Sequence, residues 1–214
     1  MPDAPYYATY CRFTTKDKKT GALLMGADNL VGDFFQIKMI TEEGKTIAWM
    51  QNRFDQIIGF FDDDITYELQ LCEARGWSTN CILASSWFTE KPEPGFYWGE
   101  AVIISYANNE KEAFDNFSHT IAKMLADGVR PAVQLSNSSI QAIIDSNGDW
   151  KPTGRVPKLK NEHGSALLKD HVTFNEQMVE KARNRNMGCM IGGWAGLLLI
   201  VAVLVLALKS CGLF

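Results

Sequence analysis

Glu100 is the residue whose setting most resembles that of a catalytic carboxylate. It lies in Trp98-Gly-Glu-Ala-Val102, between a glycine and an apolar run, where a strand could bury it. A buried carboxylate either pairs with a base, such as Arg75 or Arg130, or has a raised pKa that suits general acid or base chemistry. The simpler interpretation is an outward-facing strand residue. Nearby aromatic residues belong to the core or line a pocket or interface, namely Trp77, Trp87, Trp98 and Phe96.

Two acidic runs offer oxygen ligands of the kind that Mg²⁺ or Ca²⁺ prefers. The run Asp62–Asp64 more simply ends a helix in solvent or begins the next strand. The run Asp145–Asp149 alternates oxygen donors as a calcium loop does, but Trp150 and Val156 stand where such a loop needs glycine and glutamate. Capping and turn formation explain the second run better, and a solvated helix end or strand start explains the first, so we predict no metal site and no cofactor.

Other catalytic motifs are missing from the sequence. It has no GxGxxG or GxxxxGK[ST] nucleotide fingerprint and no GxSxG nucleophile elbow. Of its three histidines, His163 and His171 lie outside the first 150 residues, and His119 alone makes no constellation. The sequence therefore leans against an enzyme without excluding one.

A 22-residue segment, 187–208, has no charged side chain, and eleven of its residues are Leu, Ile or Val. As a helix it would be about 33 Å long, close to the roughly 30 Å hydrocarbon core of a bilayer. Those eleven residues favour insertion by roughly 3 to 7 kcal/mol. We therefore predict a single transmembrane helix at 187–208.

The orientation of this helix follows from its basic flanks. Lys181, Arg183 and Arg185 precede the segment, whereas Lys209 alone follows it. The positive-inside rule then places the N-terminal domain in the cytoplasm and 209–214 outside. No basic region followed by an apolar stretch stands at the N-terminus, so we expect a tail anchor rather than a cleaved signal.

Three glycines within the apolar segment recur every fourth residue, Gly188, Gly192 and Gly196. Residues four apart share one helix face, and glycines there let another helix approach closely. This glycine zipper favours a homodimer or pairing with a partner transmembrane helix, although glycine spacing of this kind also arises by chance.

The charge is divided unevenly along the chain. Residues 1–150 hold 12 basic and 21 acidic side chains, whereas 151–186 hold 8 basic and 4 acidic ones. The basic stretch is attracted to an anionic lipid leaflet. We therefore predict a lipid bilayer as a partner of the basic stretch. The acidic domain would be repelled by the phosphate backbone of nucleic acid, so we predict no nucleic-acid partner.

Hydrophobic periodicity predicts the elements of the first 107 residues. Strands are expected at 6–13 and 34–40, and a helix over 47–61 from apolar residues spaced three and four apart. Alternation over 65–72 predicts a strand with one wet face, and further strands follow at 81–88 and 96–107. The last three strands are expected to form an antiparallel meander.

Two helices are predicted after the strands. The first begins at Asn109, which pairs with Glu112 in a capping box, and ends at Gly128. The second covers 137–147. The fold class is α+β, with an antiparallel sheet whose helices pack on one face. A further helix is predicted to begin at 165 and to continue into the transmembrane helix at 187–208.

The predicted organisation has five parts, namely a soluble cytoplasmic domain (1–150), a basic Pro/Gly linker (151–164), a juxtamembrane helix (165–186), a transmembrane helix (187–208) and a short extracytoplasmic tail (209–214). The leading hypothesis is a tail-anchored, single-pass membrane protein whose domain is an interaction or sensing module for an unknown protein partner. One alternative is a membrane-tethered enzyme that uses Glu100 or the Asp62–Asp64 run. Another is a passive domain on an oligomerising anchor.

Overall fold

A computed structural model describes residues 6–159 and 164–182. The chain divides into two units, residues 1–172 and 173–214. The first unit contains β1 (Tyr6–Thr15), α1 (Lys18–Ala22), β2 (Phe34–Glu42), β3 (Lys45–Gln51), β4 (Ile57–Phe61), α2 (Asp63–Ala74), β5 (Ser78–Thr89), β6 (Phe96–Tyr106), α3 (Lys111–Ala126), α4 (Asn137–Asp145) and β7 (Ser165–Lys169).

The strands form one antiparallel sheet in the order β2-β3-β4-β1-β6-β5-β7. A further pairing joins β2 to β5 through Phe34↔Ile82 and Phe35↔Cys81. Six strands therefore make a closed ring of pairings, and β7 extends β5 outside that ring. The mixed α+β class with a large antiparallel sheet is confirmed.

Two apolar clusters lie on opposite faces of this sheet. The inner cluster takes side chains from all six ring strands, including Phe13, Met50 and Ile103, and from α2 through Leu69. The outer cluster joins β1, β5 and β6 to the buried faces of α3 and α4. The prediction that the helices pack on one face is therefore wrong. A closed sheet exposes inner side chains at its ends, and α2 covers some of them.

Several elements confirm their sequence patterns. Strands at 6–13, 34–40, 81–88 and 96–107 correspond to β1, β2, β5 and β6. The helix pattern before Gly128 corresponds to α3, whose apolar stripe is buried as expected, at Phe114, Phe117, Ile121 and Leu125. Asn109 does not cap α3, because a 3₁₀ turn precedes the helix and the Asn109 side chain donates to Glu110.

The predicted helix over 47–61 is wrong, because this stretch is the β3–β4 hairpin. The Asn52 side-chain oxygen accepts hydrogen bonds at 3.0 Å from the backbone N–H of both Phe54 and Gln56. Asp55, with φ of 60°, completes the turn. Side chains that bond their own backbone favour turns over helices, which explains the difference.

The predicted strand at 65–72 is also wrong, because Asp63–Ala74 is helix α2. Asp62 does not end a helix but caps this one, its carboxylate accepting from the Ile65 N–H at 3.0 Å. Acidic residues at a helix N-terminus are favoured by the helix dipole. The apparent alternation misleads because Tyr67 is 59% exposed, whereas the buried residues Thr66, Leu69 and Cys72 recur every third position.

The segment after 164 differs from its prediction as well. Ser165–Lys169 is strand β7, which pairs with the second half of β5, so the helix predicted from 165 does not begin there. In this segment, hydrogen bonding to an available strand edge is favoured over the predicted helix. In the second unit, 174–182 is helical. Among the helices of residues 6–159 and 164–182, none combines the length and the apolar character that a membrane span requires.

Candidate functional site

Glu100 is buried on the outer face of β6, with 6% of its surface exposed. Its Oε2 accepts a hydrogen bond from Arg130 Nη1 at 2.7 Å and another from Ser85 Oγ at 3.3 Å. Of the two bases considered from sequence, Arg130 is therefore the partner. Glu100 does face outwards from its strand, as the simpler interpretation held, but it is not exposed there, because its ion pair with Arg130 lets the fold bury the carboxylate.

Arg130 is brought to Glu100 by the turn that ends α3. Gly128, with φ of 77°, reverses the chain, and the Arg130 carbonyl accepts from the Val156 N–H at 2.8 Å. The guanidinium carbon lies 4.6 Å from the centre of the Tyr10 ring, a cation–π contact. Within the described residues the buried Arg130 Nε has no hydrogen-bond partner. The Arg130 guanidinium thus contacts both the Glu100 carboxylate and the Tyr10 ring.

Two tryptophans extend this cluster along the sheet. Trp87 Nε1 donates to Ser85 Oγ at 2.9 Å, and the Trp87 and Trp98 rings stack with centroids 5.2 Å apart. The Arg12 guanidinium lies 3.8 Å above the Trp98 ring. Both rings are buried and bonded, so they act as packing around the ion pair. Trp77, which the sequence grouped with them, lies elsewhere.

Burial also fixes the protonation of the phenol beside the ion pair. The pKa of Tyr10 is raised, chiefly by burial and further by the Glu100 carboxylate, against the opposing effect of Arg130. The Tyr10 hydroxyl donates to the Pro131 carbonyl at 3.0 Å. Glu100, Arg130, Ser85 and Tyr10 thus form a buried network whose donors and acceptors largely satisfy one another.

The acidic runs have structural partners. Asp62 caps α2, and Asp63 forms a surface salt bridge with Lys45 at 2.8 Å. Asp145 accepts from Gln141 within α4 at 2.8 Å. Among the residues that the structure describes, no group of three or more His, Cys, Asp and Glu side chains is placed to hold a metal ion.

The three cysteines that the structure describes are buried free thiols. Cys11 and Cys81 belong to the inner cluster, and Cys72 lies on the buried face of α2. Burial raises the pKa of all three thiols. A thiol held in its protonated form is a poor nucleophile, so these residues contribute packing.

A second candidate site is a cleft that sequence reasoning missed. It lies where β2 and β5 separate beyond their short pairing, with α2 alongside, and its cavity volume is about 220 Å³. We call it the β2/β5 cleft, and its walls are Ile37, Met39, Leu69, Glu73, Trp77 and Thr79. The wrong element assignments at 47–72 hid it, because they removed α2 and two ring strands.

Comparison of the chain with protein-family models gives no match, and comparison with curated protein sequences gives none either. Lys181 lies in the described helical segment and is exposed. The remaining topology and packing residues lie outside the described residues, namely Arg183, Arg185, Gly188, Gly192 and Gly196.

Proposed function

We propose that this chain is a tail-anchored, single-pass membrane protein whose cytoplasmic α+β domain acts as an interaction module. The observation that carries the proposal is the state of Glu100. The carboxylate with the best sequence setting for acid or base chemistry is bonded to Arg130 and Ser85 inside the fold. The β2/β5 cleft is by contrast open at the surface, and Glu73 in its wall has an exposed side chain.

The membrane part of the proposal is supported by sequence. The uncharged segment 187–208 is long enough to span a bilayer, and Lys181, Arg183 and Arg185 precede it. A cytoplasmic domain is also compatible with three buried cysteines that remain free thiols.

The alternative of a membrane-tethered enzyme has less support. An acid or base must reach the substrate proton within hydrogen-bond distance, directly or through one water. Glu100 is 6% exposed and its neighbour Arg130 is 9% exposed, so little of either group is accessible. The Asp62–Asp64 run is used in capping and in a surface salt bridge.

Fractionation of cells that express the full chain tests the anchor. We expect the protein to sediment with membranes and to resist carbonate extraction. Substituting Leu198→Arg together with Ile200→Arg adds roughly 5 to 7 kcal/mol against insertion and should move the protein to the supernatant. The matched Leu198→Ala, Ile200→Ala variant should stay in the membrane. In inside-out vesicles protease should digest the domain, and digestion only in right-side-out cells would refute the orientation.

Partner capture tests the module. The full chain and an anchor-only chain that begins at residue 183 are each expressed in cells, cross-linked and purified under identical conditions. A partner that is recovered with the full chain and not with the anchor supports the proposal. Recovery of the same partners with the anchor alone would instead favour a passive domain on an oligomerising anchor. Substrate turnover that Glu100→Gln abolishes in a folded protein would favour the enzyme.

A further inference from the structure

The β2/β5 cleft is an interruption in the closed sheet. The strands pair at Phe34↔Ile82 and Phe35↔Cys81 and then separate. Continuing the same register would place Ile37 opposite Thr79 and Met39 opposite Trp77. All four of those residues line the cavity. The cleft is therefore a gap between two strand segments that are in register but unpaired.

The backbone of β2 directs hydrogen-bonding groups into this gap. A two-residue turn with positive φ at both positions, Glu43-Gly44, joins β2 to β3, so the closing pair Glu42↔Lys45 exchanges both hydrogen bonds. Bonded pairs recur at every second residue, and the even-numbered residues of β2 therefore bond to β3. Ile37 and Met39 direct their N–H and C=O groups to the opposite edge, which faces the cleft.

The same alternation applies to β5 on the other wall. The Leu83 N–H donates to the Asp33 carbonyl at 3.0 Å, which shows that odd-numbered residues of β5 face β2. Thr79 therefore directs its backbone groups into the cleft. Within the described residues, neither wall has a strand partner at these positions. Unpaired strand edges of this kind are templates for another strand.

The edge of β5 already accepts a strand added from a distant part of the chain. β7 pairs with Ser86–Thr89 on the edge opposite β6, which is the edge that β2 occupies at Cys81 and Ile82. Among the residues that the structure describes, the first residues of β5, beside the cleft, have no strand partner on that edge. This edge of β5 therefore already pairs with an added strand within the molecule.

The side chains around the gap determine which kind of segment can bind there. Ile37, Met39 and Leu69 make an apolar wall that continues the inner cluster. Glu73 is exposed at the cleft and forms no hydrogen bond or ion pair with any described side chain. Residues 1–150 carry a net charge of −9, which attracts a basic segment.

We propose that the β2/β5 cleft binds an extended segment of a partner protein, which adds as an antiparallel strand to β2. The segment presents apolar side chains to Ile37 and the inner cluster and a lysine or arginine to Glu73. Its N–H and C=O groups bond to Ile37 and Met39. This inference rests on the proposed interaction function and names the site and the class of partner.

A defined peptide tests the proposal on the full chain in detergent micelles. The probe is acetyl-Thr-Val-Thr-Lys-Thr-Val-amide, whose valines and lysine share one face and direct their amides to one edge. We expect saturable binding by isothermal titration. N-methylation of those three amides removes the N–H groups that donate to β2 but keeps the side chains, and should weaken binding about a hundredfold. A peptide with glutamate in place of lysine should bind about tenfold more weakly.

Variants of the protein localise the binding. Met39→Pro deletes an N–H that faces the cleft and is not bonded to β3, so an edge strand should tolerate it. It should abolish binding, whereas Met39→Ala, which retains the N–H, should keep affinity within about threefold. Glu73→Gln should remove the preference for lysine over glutamate. Circular dichroism identifies a Met39→Pro protein that fails to fold, in which case the methylated peptide and Glu73→Gln decide.

Three outcomes overturn the proposal. They are equal affinity of the methylated and unmethylated peptides, binding that survives Met39→Pro in a folded protein, and no saturable binding up to about 1 mM, the weak end of specific affinities. Partner capture by the full chain together with any of these would leave the interaction module standing and place its site elsewhere. Failure of partner capture alone would refute the module.

Discussion

Arg130 Nη1 lies 2.7 Å from Glu100 Oε2, and both side chains are more than nine-tenths buried. The pair joins the turn after α3 to the middle of β6, 30 residues earlier in the chain. A charge left alone in this position would be desolvated without compensation. The pair therefore makes the position of α3 depend on the sheet beneath it.

Removing one member of this pair should destabilise the domain strongly. We expect Glu100→Ala and Arg130→Ala each to lower the free energy of unfolding by about 3 to 5 kcal/mol, because each leaves a buried charge. The double variant should cost clearly less than the sum. Urea unfolding of the four proteins gives the coupling energy. Additive losses would mean that water screens the pair.

The Asp62 cap gives a second prediction about local structure. Asp62→Ala should destabilise the domain by about 1 kcal/mol, because the Ile65 N–H loses its acceptor. Asp62→Asn should retain most of the stability, since its amide oxygen also accepts. Asp64→Ala is the matched control in the same first turn. Equal losses in Asp62→Ala and Asp64→Ala, measured by urea unfolding, would indicate a charge effect rather than a cap.

Strong local patterns in the sequence predicted much of the fold. The β5 and β6 strands and the α3 stripe rest on long apolar runs or regular spacing, and they are confirmed. The two wrong element assignments before residue 75, the helix at 47–61 and the strand at 65–72, share one cause. Between 47 and 72 side-chain hydrogen bonds of Asn52 and Asp62 decide the local structure, and hydrophobic periodicity does not register them.

The candidate sites also differ in how far a local sequence pattern could predict them. Burial of Glu100 against Arg130 was one of the alternatives that the sequence offered, because a glycine and an apolar run flank the carboxylate. The closure of the sheet and the β2/β5 cleft depend on pairings between residues 46 or more positions apart, such as Phe35 and Cys81. A single sequence carries no local signal for contacts of that kind.

Alkaline pH should destabilise the domain through Tyr7. Burial, with a smaller contribution from Glu68, raises the pKa of Tyr7 from 10.0 to about 12. A raised pKa stabilises the fold fully below pH 10, where the phenol is protonated in both states. That contribution is lost as pH rises towards 12, because the unfolded chain ionises first.

Urea unfolding between pH 9 and pH 12 measures this loss for the native chain, for Tyr7→Phe and for Tyr67→Phe. Tyr7→Phe should reduce the fall in stability within that window, since it removes the ionisable group. Tyr67→Phe alters a tyrosine that is 59% exposed and should follow the native profile. Identical slopes for Tyr7→Phe and the native chain would show that Tyr7 does not contribute.

The C-terminal limit of the folded unit gives the last prediction. The sequence predicted a domain of 1–150, but Val156 N–H donates to the Arg130 carbonyl at 2.8 Å, β7 pairs with β5, and Val172 packs against the outer cluster. A chain that stops at residue 150 loses the hydrogen bonds that hold the Arg130 turn and exposes the edge of β5. We therefore expect it to melt at a clearly lower temperature than a chain that stops at residue 182, or to aggregate through that edge.

Thermal unfolding and light scattering of the two chains measure these differences. A third chain, which stops at residue 159, separates the contribution of the Val156 hydrogen bond from that of β7. Equal melting temperatures for all three would show that the sheet holds Arg130 without the segment that follows it.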